Sequence, residues 1–457
     1  MHEVSITEQL VTAIYDRSDE LLSSELQEFS RYYLLDWLGS VTAGMATETG
    51  GAFLNYARPL SAGSSSVIGL AEGRSTEVAA LVNGALSHIV EMDDVERASV
   101  IHPAAVVIPA ALAAADEVGA SGSQLLAAIV VGYEVAIRIG RAVGSKHYFH
   151  FHNTSTCGAF GAAAAAGWIY NLSQQQMVWA LGNAGTQAAG LWEFNTEGAQ
   201  SKPLHTGRAA ANGVLAAMLA RGGVSGARRI LEGARGFFAG LAPEGHVPRV
   251  IEKLDSPFKI GEVSIKPHAS CRHTHAPIDA ALKLRGQLDG QVDKIQNIAL
   301  SVYQAAQVLC DKADPRSVAD AKFSLQYCVA TALLRGEVGL AQFDSQTMAD
   351  QSIRQLSRLV NISVDAHRES LYPQCWSTQL ALTDAAGEVF SAEISNPKGD
   401  PENPLSQFEL EQKFLGLAAY GLGPEQQVEM AELQLQWVTD LGGNAAIDTG
   451  LFRQLRT

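Results

Sequence analysis

The spacing of apolar residues along the chain changes once. From residue 24 onward Leu26, Phe29, Tyr33 and Trp37 recur at intervals of three and four, the period of a helix with one buried face. Ser24, with Gln27 three residues on, reads as the cap that starts it. Similar spacing, or unbroken runs of small apolar residues, predicts helices over 77–89, 104–118, 124–143, 157–170, 173–181 and 206–221. Glycine and alanine inside them, as in Gly158-Ala159-Phe160-Gly161-Ala162-Ala163, permit close helix contacts at some cost in propensity.

Beyond about residue 263 the period shortens. Asn297-Ile298-Ala299-Leu300-Ser301-Val302-Tyr303 alternates apolar with other residues, as a strand does. Residues 379–383 and 389–394 flank Asp384-Ala385-Ala386-Gly387-Glu388, a short loop with a glycine, and read as a β-hairpin. Helices over 276–288 and 317–335 interleave. Asn396-Pro397-Lys398-Gly399-Asp400-Pro401 begins a dense run of turn formers that marks a boundary. Past it, Ser406 and Glu409 form a capping box ahead of Leu410, Phe414 and Leu417, so helix returns. The pattern predicts a mainly α protein, with residues 1–263 and 400–457 in a large all-helical domain and residues 264–399 in a smaller α+β domain.

At 457 residues and 47% hydrophobic, the chain holds enough apolar surface for two packed domains. Charged residues make up only 18%, which suits closely packed helices and not a disordered chain. The formal charge of −15 repels nucleic acid and anionic membrane surfaces at long range, so an anionic ligand has to be drawn by local lysines, arginines and histidines. The start, Met1-His2-Glu3-Val4, has no basic stretch leading into an apolar run, so no signal peptide is expected. Apolar stretches such as 125–133 end at Glu134, short of the roughly 20 residues a membrane helix needs. Cys157, Cys271, Cys310, Cys328 and Cys375 are odd in number and form no Cys-x-x-Cys pair, which argues for a reducing, cytoplasmic setting and against a thiolate-held zinc or iron–sulfur cluster. The protein itself then has to supply the chemistry.

Candidate chemistry concentrates around the histidines. Nine of the twelve fall in four segments: His88 and His102; His147, His150 and His152; His205; His268, His273 and His275. Two of the four also carry Lys-Pro, at Lys202-Pro203 and Lys266-Pro267, where proline restrains the backbone and each ammonium is expected to project from a fixed, non-helical segment. Glu91, Asp93 and Asp94 crowd into four residues. Like charges this close raise the pKa of at least one, giving a general acid or base near neutral pH, although a solvated acidic turn would look the same.

His102-Pro103 reads either as a helix entry, with Pro103 at the first helical position, or as a catalytic imidazole. The alternation from His147 to His152 would set His150 and His152 on one face of an extended segment; with no His-Glu-x-x-His helix beside it, no metal is expected. Lys202 and Lys266 would ordinarily be surface lysines, but their matching contexts near His205, His268 and Arg272 suit carboxylate binding or an enolate-like transition state. Tyr327 falls on an expected helix of the smaller domain, where core packing alone would explain it. No Gly-x-Ser-x-Gly elbow, phosphate loop or dinucleotide glycine fingerprint occurs, which weighs against hydrolase, nucleotide-dependent and NAD-dependent functions.

Taken in order, Asn83-Gly84-Ala85-Leu86-Ser87-His88, Met92-Asp93-Asp94, His102-Pro103, Phe151-His152, Thr186 to Gly190, Lys202-Pro203-Leu204-His205-Thr206-Gly207, Lys266-Pro267-His268-Ala269-Ser270-Cys271-Arg272-His273-Thr274-His275 and Phe323-Ser324-Leu325-Gln326-Tyr327 resemble the MmgE/PrpD family. That family includes 2-methylcitrate dehydratase, cis-aconitate decarboxylase and iminodisuccinate epimerase. The resemblance covers most of the chain and implies a helical domain made from both termini, an inserted α+β lid and a homodimer. It also implies a site in the cleft between domains, without metal or organic cofactor, whose polar residues correspond to Glu91, Asp93, His102, His152, Lys202, Lys266 and Tyr327. One departure stands out. Where the family commonly shows Asp-[Phe/Tyr]-[Asp/Asn]-Asp-Thr, this chain has Glu91-Met92-Asp93-Asp94-Val95, and the longer glutamate moves its oxygens by about one methylene.

The expected activity is that of a hydro-lyase on a small di- or tricarboxylate, by proton abstraction next to a carboxylate. Lys202, Lys266 and Arg272 would hold substrate carboxylates, with His205 and His275 as further binding residues. Glu91 or Asp93 would share the proton transfers with His102 and His152, acid and base unassigned. An epimerase or decarboxylase of a related polycarboxylate is the alternative. A binding protein retaining the fold and a metal-dependent hydrolase are readings from other classes.

Overall fold

Ser23, one residue earlier than the pattern suggests, starts the first long helix. Its hydroxyl accepts the Leu26 amide, and the helix runs Ser24–Met45. Every residue from Tyr33 to Met45 is buried, so the amphipathic start gives way to a helix surrounded on all sides. The computed structural model that shows this describes residues 3–288, 291–423 and 426–455. The chain divides into two compact units, one of Met1–Ile89, Asp93–Val263 and Gln407–Thr457, the other of Val90–Met92 and Ser264–Ser406.

In the first unit, helices Thr76–His88, Ala104–Val118, Gly122–Val143, Gly158–Ile169 and Gln174–Gly185 stand where the apolar spacing predicts them. Lys202–Arg221 begins earlier than expected. Lys202 is its first residue and Pro203 its second, where a missing N–H costs nothing, so Lys202 does not sit on a non-helical segment. A Cβ on Gly207 would lie 2.3 Å from the Leu81 carbonyl oxygen, so this helix and Thr76–His88 meet backbone against backbone. Glu134, which interrupts the apolar run 125–133, is itself buried. It pairs one turn on with Arg138, whose guanidinium also donates to the carbonyls of Val250, Glu252 and Lys253. Near the C-terminus, helix Gln407–Gly421 returns to Ser24–Met45, where the Lys413 ammonium pairs with the buried Asp36 carboxylate. Among the described residues, no helix is long and apolar enough to cross a membrane.

In the second unit, β1 (Ile295–Val302), β2 (Val360–Val364), β3 (Thr378–Asp384) and β4 (Val389–Ile394) form one sheet of order β2-β1-β3-β4. β1 and β2 are parallel, with Ile298 opposite Val360; β1–β3 and β3–β4 are antiparallel, with Leu300 opposite Leu380 and Leu380 opposite Ala392. Helix His275–Arg285 packs on β3, β4 and helix Leu325–Arg335. The helix expected over 317–335 is two, Val318–Lys322 and Leu325–Arg335, because Ser324 Oγ accepts the Tyr327 amide at 3.1 Å and starts a new one.

Candidate active site

Four segments of the first unit bring histidines together. His88 ends helix Thr76–His88, and His102 precedes Pro103, which caps helix Ala104–Val118 and does not form its first turn. His152 caps the short helix Asn153–Thr156, and His205 lies on Lys202–Arg221. The segment before His152 is helical over Ser145–His150, leaving His150 exposed and His152 buried, so the two share no extended face. Asp93 Oδ2 lies 2.6 Å from His88 Nδ1 and 3.2 Å from His102 Nδ1, and the Asp94 carbonyl oxygen lies 2.6 Å from the same His102 nitrogen. Ionised carboxylates and carbonyls only accept, so both Nδ1 atoms are donors.

The rings sit close. His88 is 4.8 Å from His102 and stacks on His152 at 5.5 Å, and His152 in turn meets Trp192 at 4.9 Å and His205 at 5.6 Å. One ring nitrogen each from His88, His102 and His152 falls within 4.8 Å of the other two, the one such group of metal-ligating side chains among the described residues. Burial, then His88 and Lys202, hold the His152 pKa well below its ordinary value, and the same causes bring His205 down to about 4. His88 Nε2, His152 Nδ1 and His205 Nδ1 make no hydrogen bond within the protein. A neutral imidazole with such a nitrogen, as at His152 and His205, is equipped to accept a proton.

Asp94 has a different task. Its Oδ1 accepts the Ala104 amide at 3.0 Å and its Oδ2 the Tyr133 hydroxyl at 2.7 Å, which fixes the entry to helix Ala104–Val118. Burial pushes its carboxyl well above the usual range, with the Tyr133 bond opposing and Asp93 adding less. The rise expected within the acidic triplet thus falls on Asp94, and burial outranks crowding as its cause.

The second unit holds another set. Lys266, fully buried, sets Nζ 3.1 Å from Glu91 Oε2. Glu91 has a φ of 59°, a left-handed conformation unusual for a side chain this large, and the carbonyl of Val90 before it accepts from Lys322 Nζ at 2.5 Å. Lys266 lies on a non-helical segment, as expected, beside Ile265, whose amide donates to the Gly399 carbonyl at 2.9 Å. Gly399 has a φ of 91°, and a Cβ there would stand 1.8 Å from the Ile265 oxygen, so only glycine fits.

Arg272 donates to His275 Nδ1 at 2.9 Å and to the Lys398 carbonyl at 3.0 Å, and it ion-pairs with Asp400, which accepts from Ser264 Oγ as well. His275 gives its remaining N–H to the Ser270 carbonyl at 3.2 Å, and burial together with Arg272 keeps it neutral. Tyr327 donates to the Gln342 carbonyl at 2.5 Å and packs on Phe343, and burial lifts its pKa to about 12.

Of the residues singled out from sequence, Asp93, His102, His152, Lys202 and His205 gather in the first unit and Glu91 with Lys266 in the second. Arg272 and His275 are joined to each other, and Tyr327 to Gln342. His88 was noted among the clustered histidines but given no role, and Lys322 was missed, visible only as the lysine preceding Phe323-Ser324. The MmgE/PrpD N-terminal domain family matches residues 8–248 and the MmgE/PrpD C-terminal domain family residues 268–439. The chain is 25% identical over 478 residues to the cis-aconitate decarboxylase-like protein oryM of Aspergillus oryzae, across 98% of each chain. It is 29% identical over 426 residues to cis-aconitate decarboxylase of Homo sapiens, covering 90% of this chain and 87% of the human one. The cis-aconitate decarboxylase of Mus musculus gives 28% over 431 residues, 90% and 86%.

Proposed function

The chain belongs to the MmgE/PrpD family, and from that premise we propose that it is a lyase acting on a small di- or tricarboxylate, with loss of CO₂ from a cis-aconitate-like substrate as the leading reaction. Relatives that align with nine-tenths of the chain or more carry decarboxylase names. The observation that carries the reading is the buried Lys266–Glu91 pair at 3.1 Å: a fully desolvated ammonium is a strong, fixed positive charge for an anion that develops during reaction. As the bond to the departing carboxylate breaks, its electron pair passes into the conjugated system and onto a remaining carboxylate. Lys266 disperses that charge, and a protonated side chain returns a proton to carbon.

A second reading, the hydro-lyase, is favoured by the neutral His152 ring. An imidazole kept in its base form suits removal of a proton next to a carboxylate, after which the same enolate expels hydroxide. NMR in D₂O with cis-aconitate, citrate, 2-methylcitrate, tartrate and iminodisuccinate, combined with CO₂ capture, separates the readings. Decarboxylation is expected to release CO₂ and leave a deuteron on the product carbon. Loss of water without CO₂ would establish the second reading, deuterated substrate with loss of neither would establish an epimerase, and no turnover at all would sink the lyase. Lys202→Ala is expected to lower kcat/KM by about 10²-fold or more.

A further inference from the structure

We propose that His88, His102 and His152 form a binding site for one divalent transition-metal ion of zinc's class. One ring nitrogen of each lies within 4.8 Å of the other two. In a tetrahedral zinc site neighbouring nitrogens stand about 3.4 Å apart, so the rings need draw in by no more than about 1.5 Å. All three side chains are buried, and His88 Nε2 and His152 Nδ1 have no hydrogen-bond partner in the protein. A buried polar atom without a partner is rare enough to ask for one.

The Nδ1 contacts of two rings are those of ligands. Metal-bound histidine donates its other ring N–H to a carboxylate or carbonyl, and Asp93 Oδ2 accepts from His88 Nδ1 while the Asp94 carbonyl accepts from His102 Nδ1, with Asp93 Oδ2 3.2 Å from the latter. Three imidazoles suit zinc, copper, cobalt or nickel and leave a coordination position open. The Lys202 ammonium, close enough to depress His152, opposes a dication and limits the affinity. On the functional reading above, a bound ion occupies the lone pairs that proton transfer uses, so loading inhibits turnover; binding itself does not depend on that reading.

Full-length protein stripped with a chelator is titrated with Co²⁺ in the absence of substrate. The expected result is one Co²⁺ per chain, visible bands of a tetrahedral nitrogen site, displacement by Zn²⁺, and a Co-edge X-ray absorption shell containing three imidazoles. His88→Gln and His152→Gln should abolish uptake, Asp93→Asn should weaken it about 10–100-fold, and changes at the exposed His246 and His367 should leave it intact. Absence of stoichiometric uptake, uptake unchanged in both histidine variants, or a shell of fewer than three imidazoles in the unaltered protein overturns the site. The absorption measurement decides the matter even where a variant does not fold. Protein that binds Co²⁺ but turns over no polycarboxylate would overturn the functional reading alone.

Discussion

Asp93 governs how two imidazoles present themselves, since one carboxylate oxygen lies 2.6 Å from His88 Nδ1 and 3.2 Å from His102 Nδ1. Asparagine in its place offers an amide that cannot accept from both rings with the same charge, so the Nε2 lone pairs lose their fixed direction. Asp93→Asn is expected to lower kcat by about 10²- to 10⁴-fold with KM little changed, the range of a lost acid–base function, in steady-state assays on whichever polycarboxylate is turned over. An unaltered kcat would remove the histidine pair from the chemistry. Lys266→Ala takes an ammonium from a buried carboxylate 3.1 Å away and is expected to cost about 3–5 kcal/mol in urea unfolding, most of it recovered when Glu91→Leu is added. Strictly additive losses would show the two are not coupled. At this scale the sequence was legible in the non-helical segment of Lys266-Pro267, but not at Lys202, which opens a helix, nor at Pro103, which caps one. It misled where a partner lies far along the chain: Arg272 reads as an open carboxylate binder, yet Asp400, 128 residues away, already holds it.

Helices announced themselves because a buried stripe repeats every three or four residues whatever its neighbours do. The edge strand β2 did not, since only Val360 of its five residues is buried and the remainder carries little apolar signal. Connections between elements were legible least of all, and two of them can be tested. Gly399→Ala places a Cβ against the Ile265 carbonyl in a backbone conformation that disfavours it, so the segment carrying Lys266 must shift; a loss above about 1 kcal/mol is expected, together with a fall in kcat/KM. Full stability and activity would mean that the Ile265–Gly399 pairing does not position the lysine.

The second case is Glu262, which ties the turn Lys259–Glu262 to Arg141 on helix Gly122–Val143. Burial would raise its pKa, but the bonds from Lys259 and Arg141 outweigh that and hold it below the ordinary glutamate value. A depressed folded pKa means that the contribution is full above the ordinary range and disappears as pH falls through the folded value. Glu262→Gln should therefore lower the melting temperature near neutral pH and not in strong acid. The loss should stay within about 1 kcal/mol, because the carboxylate is partly exposed and screened. A loss that persists in acid would point to packing, not charge.

For the molecule as a whole, the order of elements along the chain matters more than their number. The mainly helical class could be read from periodicity, and the inserted sheet from the single change of period. Which helix of the rejoining C-terminal piece covers which face could not, because apolar spacing identifies a buried face without naming what covers it. The first unit depends on such a pairing: helix Ser24–Met45 is buried along its whole second half, and residues after 406 supply part of its cover through helix Gln407–Gly421, the Lys413–Asp36 pair and the Gln434 bond to Thr42 at 3.1 Å. A chain ending at Ser406 gives up that apolar burial and takes the ammonium from a carboxylate deep in the unit. Such a chain is expected to keep helical far-UV circular dichroism, lose its near-UV signal and bind an apolar dye, and adding residues 407–457 as a separate peptide should restore part of the native signal. A truncated chain with a native near-UV spectrum would show that the unit folds before its C-terminal helices arrive.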